Sequence, residues 1–309
     1  MQINDLINHT SEWLKGTGPN SDIVISSRIR LARNLNKLPF PHWASKAQLN
    51  EIIDKTSLAM SQVELLKNST LWTLANLDNI DKQFLVERHL MSIEHTQKTE
   101  QKAVLVNDEE NIAVMINEED HLRIQLMQSG FNLFEAWNII NGIDDLLAKL
   151  LDYAYLADFG YLTACPTNTG TGMRGSVMLH LPALVMSRQI ERVLAAIAKL
   201  SFTTRGLYGE GTQASGNFFQ ISNQVSLGHS ENEIIENING LIRQIIGQET
   251  QAREIMLSKS KDILEDRINR SLGILKSARI ISSQETIELL SMIRLGSDLG
   301  MVKDISRRT

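Results

Sequence analysis

Residues 22 to 33 read DIVISSRIRLAR, and this run constrains the fold more than any other. Apolar and cationic side chains alternate with a period of two, the signature of a strand. Ile29 and Leu31 then lie on one face, and Arg28 and Arg30 on the other. Arginines at i and i+2 on a strand otherwise packed with isoleucine, valine and leucine must face water or a polyanion.

Other stretches supply companions for this strand. KAVLVN and NIAVMIN, joined by NDEEN and followed by HLRIQLM, read as a meander. In the last run Leu122, Ile124 and Leu126 share one face, while His121, Arg123 and Gln125 share the other. GYLTAC, FTTRGLYGEG and FFQISNQVSL read as further strands. Helices are expected at 3–15, 46–66, 131–152 and 176–199. Ser230 can cap a helix, with Glu233 completing a capping box. Ile234, Ile235, Ile238, Leu241, Ile242, Ile245 and Ile246 form a helical stripe beyond it, suited to the chain's own core or to a homodimer seam. From there to Thr309 the pattern is helical. Hairpins outnumber βαβ units, so the class is α+β. A mostly antiparallel sheet flanked by helices precedes a helical carboxy-terminal segment. Residues 1–21 are expected to form a helix and linker, 22–250 the main domain and 251–309 the helical segment.

A net charge of −5 argues against general nucleic-acid binding. One cysteine in 309 residues permits no internal disulfide framework. No apolar run is long enough to span a bilayer, and the first residues lack the features of a signal peptide. A cytoplasmic protein is expected.

CPTNTGTGMRGSV, residues 165 to 177, contains G-x-G-x-x-G at Gly170, Gly172 and Gly175. A dinucleotide loop needs a strand running directly into the first glycine, whereas here the four residues 166–169, opening with the strand-ending Pro166, intervene. A P-loop needs a closing Gly-Lys-Ser/Thr, which is missing. The glycines still allow unusual backbone angles and close approach of backbone N–H groups to a ligand. The arginines say more. Arg28, Arg30, Arg123, Arg174 and Arg205 all fall on strands or at element ends. Gathered together, they would hold a triphosphate by bidentate forks. Two carboxylates accompany them. Glu119 shares strand parity with His121 and Arg123, and Glu210 follows Arg205 by five residues. Such a pair can grip or deprotonate a cationic nucleophile. Cys165 fits either a small buried apolar position or the site itself.

SSRIRLARN, INEEDHLRI, CPTNTGTGMRGSVMLHLP and RGLYGEG resemble the signature blocks of the ATP:guanido phosphotransferases, the arginine and creatine kinase family. The resemblance runs from about Asp22 to Gly228 in consistent order. VERHL and the tail runs EDRINRSLGIL and RLGSDLG are similar to the bacterial protein-arginine kinase branch. That branch lacks the amino-terminal helical domain of small-molecule phosphagen kinases. The resemblance implies a glutamine-synthetase-like fold for the catalytic domain. It implies ATP contacts from Ser26, Ser27, Arg28, Ile29 and Arg30, with His89 near the adenosine and Arg123 on phosphate. It places Arg174, Gly175, Ser176, Val177 and Met178, and Arg205, Gly206, Leu207, Tyr208, Gly209 and Glu210, around the phosphates. Glu119 and Glu210 would hold the acceptor guanidinium, with Cys165 beside it. Mg²⁺ is expected on phosphate oxygens and water, without a dedicated protein cage.

The resemblance further implies protein substrates bearing arginine, a zinc-binding activator, a heat-shock repressor as substrate, and a Clp-type protease for the marked proteins. Stress response and protein quality control follow from that setting. The family usually has alanine where this chain has Gly175, which is expected to loosen the loop. The branch commonly carries a terminal Arg-Asp-x-x-Arg-Ala motif that binds phosphoarginine. This sequence ends KDISRRT, without that motif; a naturally short form and a truncated piece both fit, and the phosphoarginine site stays open. A free-arginine kinase and a non-catalytic binder of arginine or phosphoarginine are the competing readings. The full set of clamp arginines and carboxylates argues against the binder.

Overall fold

The structure is a computed structural model that describes residues 3, 6, 10–206, 215–302 and 305. Its centre is an eight-stranded antiparallel sheet in the order β2-β3-β4-β5-β1-β8-β10-β9. The strands are β1 Val24–Arg33, β2 Ser69–Thr73, β3 Ala103–Asn107, β4 Ile112–Ile116, β5 Leu122–Ser129, β8 Met173–His180, β9 Phe202–Arg205 and β10 Phe218–Asn223. A separate small hairpin pairs β6 Tyr155–Leu156 with β7 Gly160–Tyr161.

Register fixes what each face carries. Residues paired across antiparallel strands lie on the same face, and a shift of one residue would turn every side chain over. Ile29 pairs with Leu126 and Gly175, and Val177 pairs with Ile221. Those residues, with Leu31, Ile124 and Leu122, belong to one large core. Helices α1 Lys46–Ser61, α3 Leu133–Leu150 and α6 Glu231–Lys259 pack on that side. Burying a side chain such as Ile29, Leu31 or Val177 contributes about 1.5–3 kcal/mol, so the register is strongly determined.

The opposite face is divided. Under β3 and β4, Val104, Val106, Ala113 and Met115 form a second core with Leu85 of α2 Asn79–Glu87 and with Leu90 and Met91 beyond it. Under β1, β5, β8, β10 and β9 the same face is polar. It holds Arg28, Arg30, Gln125, Arg123, Arg174, Ser176, Gln220 and Arg205, as the pairings require.

Two sequence expectations change here. Residues 176–199 are not one helix. Met173–His180 is a strand, and the helices are α4 Pro182–Met186 and α5 Ile190–Lys199. Short apolar runs suit either state by pattern, and Pro182 at the start of α4 marks the true helix entry. GYLTAC is strand only at Gly160–Tyr161.

The Ser230 capping box is present. Ser230 Oγ accepts from the backbone N of Glu233 at 3.3 Å, and Glu233 Oε2 accepts from the N of Ser230 at 2.7 Å. The isoleucine stripe of α6 is buried against the chain's own sheet, so it provides no homodimer seam. α6 runs unbroken through residue 250 to Lys259. α7 Lys261–Ser277 and α8 Ser283–Asp298 follow and form a small core around Leu264, Ile268 and Leu295. That tail is bound to the sheet domain: Ser291 Oγ lies 2.8 Å from His180 Nε2 and accepts from Asn217 Nδ2 at 2.8 Å. Among the described residues, no helix is long and apolar enough to cross a membrane.

Candidate active site

Arg28 and Arg30 share the polar face of β1, two residues apart. Across the strand pairs, Arg30 faces Arg174 on β8, and Arg123 on β5 faces Ala32, the next β1 residue of that parity. Arg205 enters from β9 through Gln220, which is also opposite Met178. Four different strands thus bring five guanidinium groups to one face.

These groups repel one another. Burial first, and then Arg123, Arg174 and Arg205, push Arg28 down to about 9. Burial and the charges of Arg28, Arg123 and Arg174 also lower Arg30 well below the usual arginine value. Among the described residues, serine hydroxyls are partners of two of them. Arg28 Nε donates to Ser176 Oγ at 3.3 Å. Arg174 donates to Ser222 Oγ from Nε at 3.3 Å and Nη2 at 3.1 Å. Arg30 Nε is buried without a hydrogen-bond partner. A buried, unpaired donor among like charges is costly. An anion with several oxygens removes both costs, so the residues fit a polyphosphate.

Among the described residues Glu118 brings a carboxylate to this face, and sequence reasoning missed it. Glu118 Oε2 accepts from Arg123 Nη1 at 2.6 Å. Its other oxygen accepts from Ser92 Oγ, which in turn accepts from the backbone N of His95 at 3.1 Å. Burial opposes ionisation of Glu118, but Arg123, Ser92 and His95 together hold it below the ordinary carboxylate value. The EED run was the available signal, and only the turn geometry separates its three members.

Glu119 itself is not on strand parity with Arg123. Residues 117–121 form the connection between β4 and β5, and Glu119 is exposed there. Partial burial, then Asp120 and Glu118, raise its pKa above the usual value. His121 faces elsewhere: its Nδ1 accepts from the N of Leu35 at 2.9 Å, and its Nε2 donates to the carbonyl of Pro39 at 2.8 Å.

Asp120 joins this turn to the cysteine loop. Its Oδ1 accepts from Ala164 N at 2.7 Å and from Asn34 Nδ2 at 2.6 Å. Glu119 and Cys165 are therefore the immediate chain neighbours of two bonded residues. Cys165 is half-buried, with Sγ 3.0 Å from Thr167 Oγ1. Ser226 Oγ anchors the loop by donating to the carbonyls of Thr167 and Thr169, both at 3.0 Å.

The glycines serve close packing. Gly170 and Gly172 take φ of 111° and 62°, and a Cβ there would lie 2.6 Å from the carbonyl oxygens of Ser226 and Ala32 respectively. They allow backbones to touch. Gly175 lies within β8, not in a loop, and a Cβ on it would meet Ile238 Cδ1 of α6 at 2.7 Å.

Other expected residues divide by face. Ser26 is buried at the polar end of β1, opposite Met178. Ser27 Oγ donates to the carbonyl of Gly130 at 2.8 Å and accepts from Asn132 N at 3.0 Å, which fixes the entry to α3. Ile29 and Val177 project into the apolar core, away from the arginines. His89 does border them: burial and then Arg28 lower it to about 4, so it is neutral at pH 7. Its carbonyl accepts from Gln125 Nε2 at 2.7 Å. Gly206 follows β9 and is buried. Leu207, Tyr208, Gly209 and Glu210 lie outside the described residues.

Comparison with known proteins places this geometry. The profile of the ATP:guanido phosphotransferase C-terminal catalytic domain matches residues 51–252. The chain belongs to the ATP:guanido phosphotransferase family. The kinase also matches, over residues 261–309, the profile described as the protein-arginine kinase McsB C-terminal domain. Among curated relatives named protein-arginine kinase, that of Desulforamulus reducens is 48% identical over 301 residues, covering 96% of this chain and 84% of the relative. That of Brevibacillus brevis is 49% identical, covering 97% and 84%. That of Bacillus subtilis is 47% identical, covering 96% and 82%. Solved structures share the fold. Lombricine kinase superposes with a TM-score of 0.67 at 24% identity, over 78% of this kinase and 71% of that chain. The duplicated taurocyamine kinase of Schistosoma mansoni gives 0.68 at 26% identity, over 81% and 36%.

Proposed function

We propose that this kinase transfers the γ-phosphoryl group of ATP to the guanidinium of arginine side chains in proteins. The observation that carries the proposal is the cationic sheet face itself, with the Glu119 turn and the Cys165 loop bonded together through Asp120. Relatives nearly half identical over almost the whole chain, all named protein-arginine kinase, support the acceptor.

In this reading Arg28, Arg30, Arg123, Arg174 and Arg205 hold the triphosphate. Arginine suits the task because its planar fork pairs with phosphate oxygens and keeps its charge. Phosphoryl transfer depends mainly on positioning and on stabilising charge over the transferring oxygens. Mg²⁺, carried with the nucleotide, supplies further charge neutralisation there. His89, neutral at pH 7, borders the nucleotide without adding charge.

The acceptor guanidinium has a pKa above 12 and is a weak nucleophile while protonated. Glu119 and Glu210 hold its fork, and one of them takes the proton as the N–P bond forms and the bond from the γ-phosphorus to the ADP oxygen breaks. The raised pKa of Glu119 brings it nearer to a base's working range. Cys165 positions the acceptor and forms no covalent intermediate. Glu118 keeps Arg123 in place. A cytoplasmic setting, a zinc-binding activator, a heat-shock repressor substrate and a Clp-type protease are the finer part of the proposal. They rest on family resemblance.

The test is incubation with Mg-ATP and an unstructured arginine-containing protein, then mass spectrometry under non-acidic conditions, because phosphoramidates are acid-labile. Phosphoarginine on the protein is the expected product. Transfer to free arginine alone would overturn the proposed acceptor, and nucleotide binding without turnover would favour a non-catalytic binder.

A further inference from the structure

The segment between β1 and α1 carries a group of rings that the chain does not bury. Phe40 and His42 are stacked at 6.1 Å with planes 9° apart, and His42 lies 4.6 Å from Trp43. Trp43 is 74% exposed. A single exposed indole is unremarkable, but this one is rigidly mounted. The backbone N of Trp43 and of Ala44 both donate to the carbonyl of Phe40, at 2.9 and 3.0 Å. His121 Nε2 holds the carbonyl of Pro39 on one side. The Ser45 capping box of α1 begins directly on the other. An aromatic side chain presented by a fixed turn loses little conformational entropy when a partner covers it.

The same bonds place the turn beside the acceptor end of the site. His121 is two residues from Glu119 in the 117–121 connection, and His42 is close enough to Glu119 to act on its charge. Residues 40–44 include no lysine, arginine or carboxylate, while of the carboxylates at 118–120 Glu118 is held by Arg123, Asp120 by Asn34 and Ala164, and Glu119 is exposed. An apolar ring therefore stands near the exposed carboxylate of Glu119, which suits a guanidinium. A ligand matching both has an arginine and, nearby, a large apolar side chain.

Resting on the protein-acceptor reading above, we propose that the aromatic turn 40–43 docks a large apolar side chain close in sequence to the acceptor arginine. The kinase would then select arginines in extended segments that expose hydrophobic residues. An extended chain advances about 3.3 Å per residue, so a docked residue two to four positions from the arginine would lie roughly 7–13 Å from it.

The test uses paired synthetic peptides with a single arginine in a glycine-serine background. One carries phenylalanine three residues before or after the arginine, and the other carries serine there. The expected result is a kcat/KM about tenfold higher for the phenylalanine peptide, mostly through KM. Trp43→Ala should bring that ratio close to one, and Trp43→Phe should keep most of it. Comparing two peptides within each variant cancels general changes in activity or folding. Equal use of both peptides by the unaltered kinase, or an undiminished ratio in Trp43→Ala, would overturn this proposal alone. Phosphorylation of free arginine but of neither peptide would overturn the protein-acceptor reading as well.

Discussion

Arg30 and Arg33 stand three residues apart on one strand and live in opposite surroundings. Arg33 points into the core side and is fully buried. It donates to both carboxylate oxygens of Asp144 from Nε, at 3.1 and 3.0 Å, and again from Nη2 at 2.7 Å. Its Nη1 donates to the carbonyls of Ala32 and Thr171 at 2.9 and 3.0 Å, and its guanidinium lies 3.5 Å from the ring centre of Tyr161. Arg30, on the other face, has a buried Nε without a partner and like charges around it. The first arginine is complete without a ligand, and the second is not. Residue type alone separates nothing here. Strand parity and what lies opposite decide which arginine is structural and which awaits an anion.

The largest effect should come from Arg30→Ala. Phosphoryl transfer is expected to fall by about a thousandfold or more, while the melting temperature holds or rises, because an uncompensated charge is removed. Initial rates and thermal melts on one preparation check this. A fall in melting temperature with little change in rate would reverse the assignment.

Arg33→Ala should do the opposite. It strands Asp144 in the core, at a cost of about 3–5 kcal/mol. Denaturant unfolding should show the loss, and the surviving folded fraction should retain its KM for ATP. Stability close to that of the unaltered kinase would mean the contrast between the two faces is wrong.

Much of this contrast was legible in the sequence. Period two in DIVISSRIRLAR separated Ile29 and Leu31 from Arg28 and Arg30, and the isoleucine stripe and capping box after Ser230 predicted α6. Three things were not legible. In residues 173–180 the short apolar run Val177–Leu179 leads on into real helices, so periodicity alone could not separate strand from helix there. Within EED, burial distinguishes Glu118, which holds Arg123, from the exposed Glu119. Gly170 and Gly172 resemble a phosphate loop, but their role is set by backbone atoms of Ser226 and Ala32, far away in sequence.

Glu118→Gln should weaken the hold on Arg123 and raise the KM for ATP about tenfold, corresponding to roughly 1.4 kcal/mol. A normal KM with normal turnover would show that Arg123 needs no such support.

A smaller effect is expected with pH. Phosphate binds the charged form of Arg28, whose value of about 9 lies well below the ordinary arginine value. Nucleotide affinity should therefore fall as pH rises through about 9 and stay level between pH 7 and 8. Binding near pH 9 should take up protons, visible as buffer-dependent calorimetric heats. The sign for stability is opposite. A lowered base makes the unfolded chain the better proton binder above about pH 9, so this group's contribution improves as pH rises from there. Affinity independent of pH up to 10 would place the phosphates away from Arg28.

The most direct test of the central claim is a crystal structure of the kinase with a non-hydrolysable ATP analogue and Mg²⁺. The phosphate oxygens should lie within hydrogen-bonding distance of Arg28 and Arg30, flanked by Arg123, Arg174 and Arg205, with Arg33 still on Asp144. A triphosphate bound elsewhere, leaving Arg30 Nε without an anion, would contradict it.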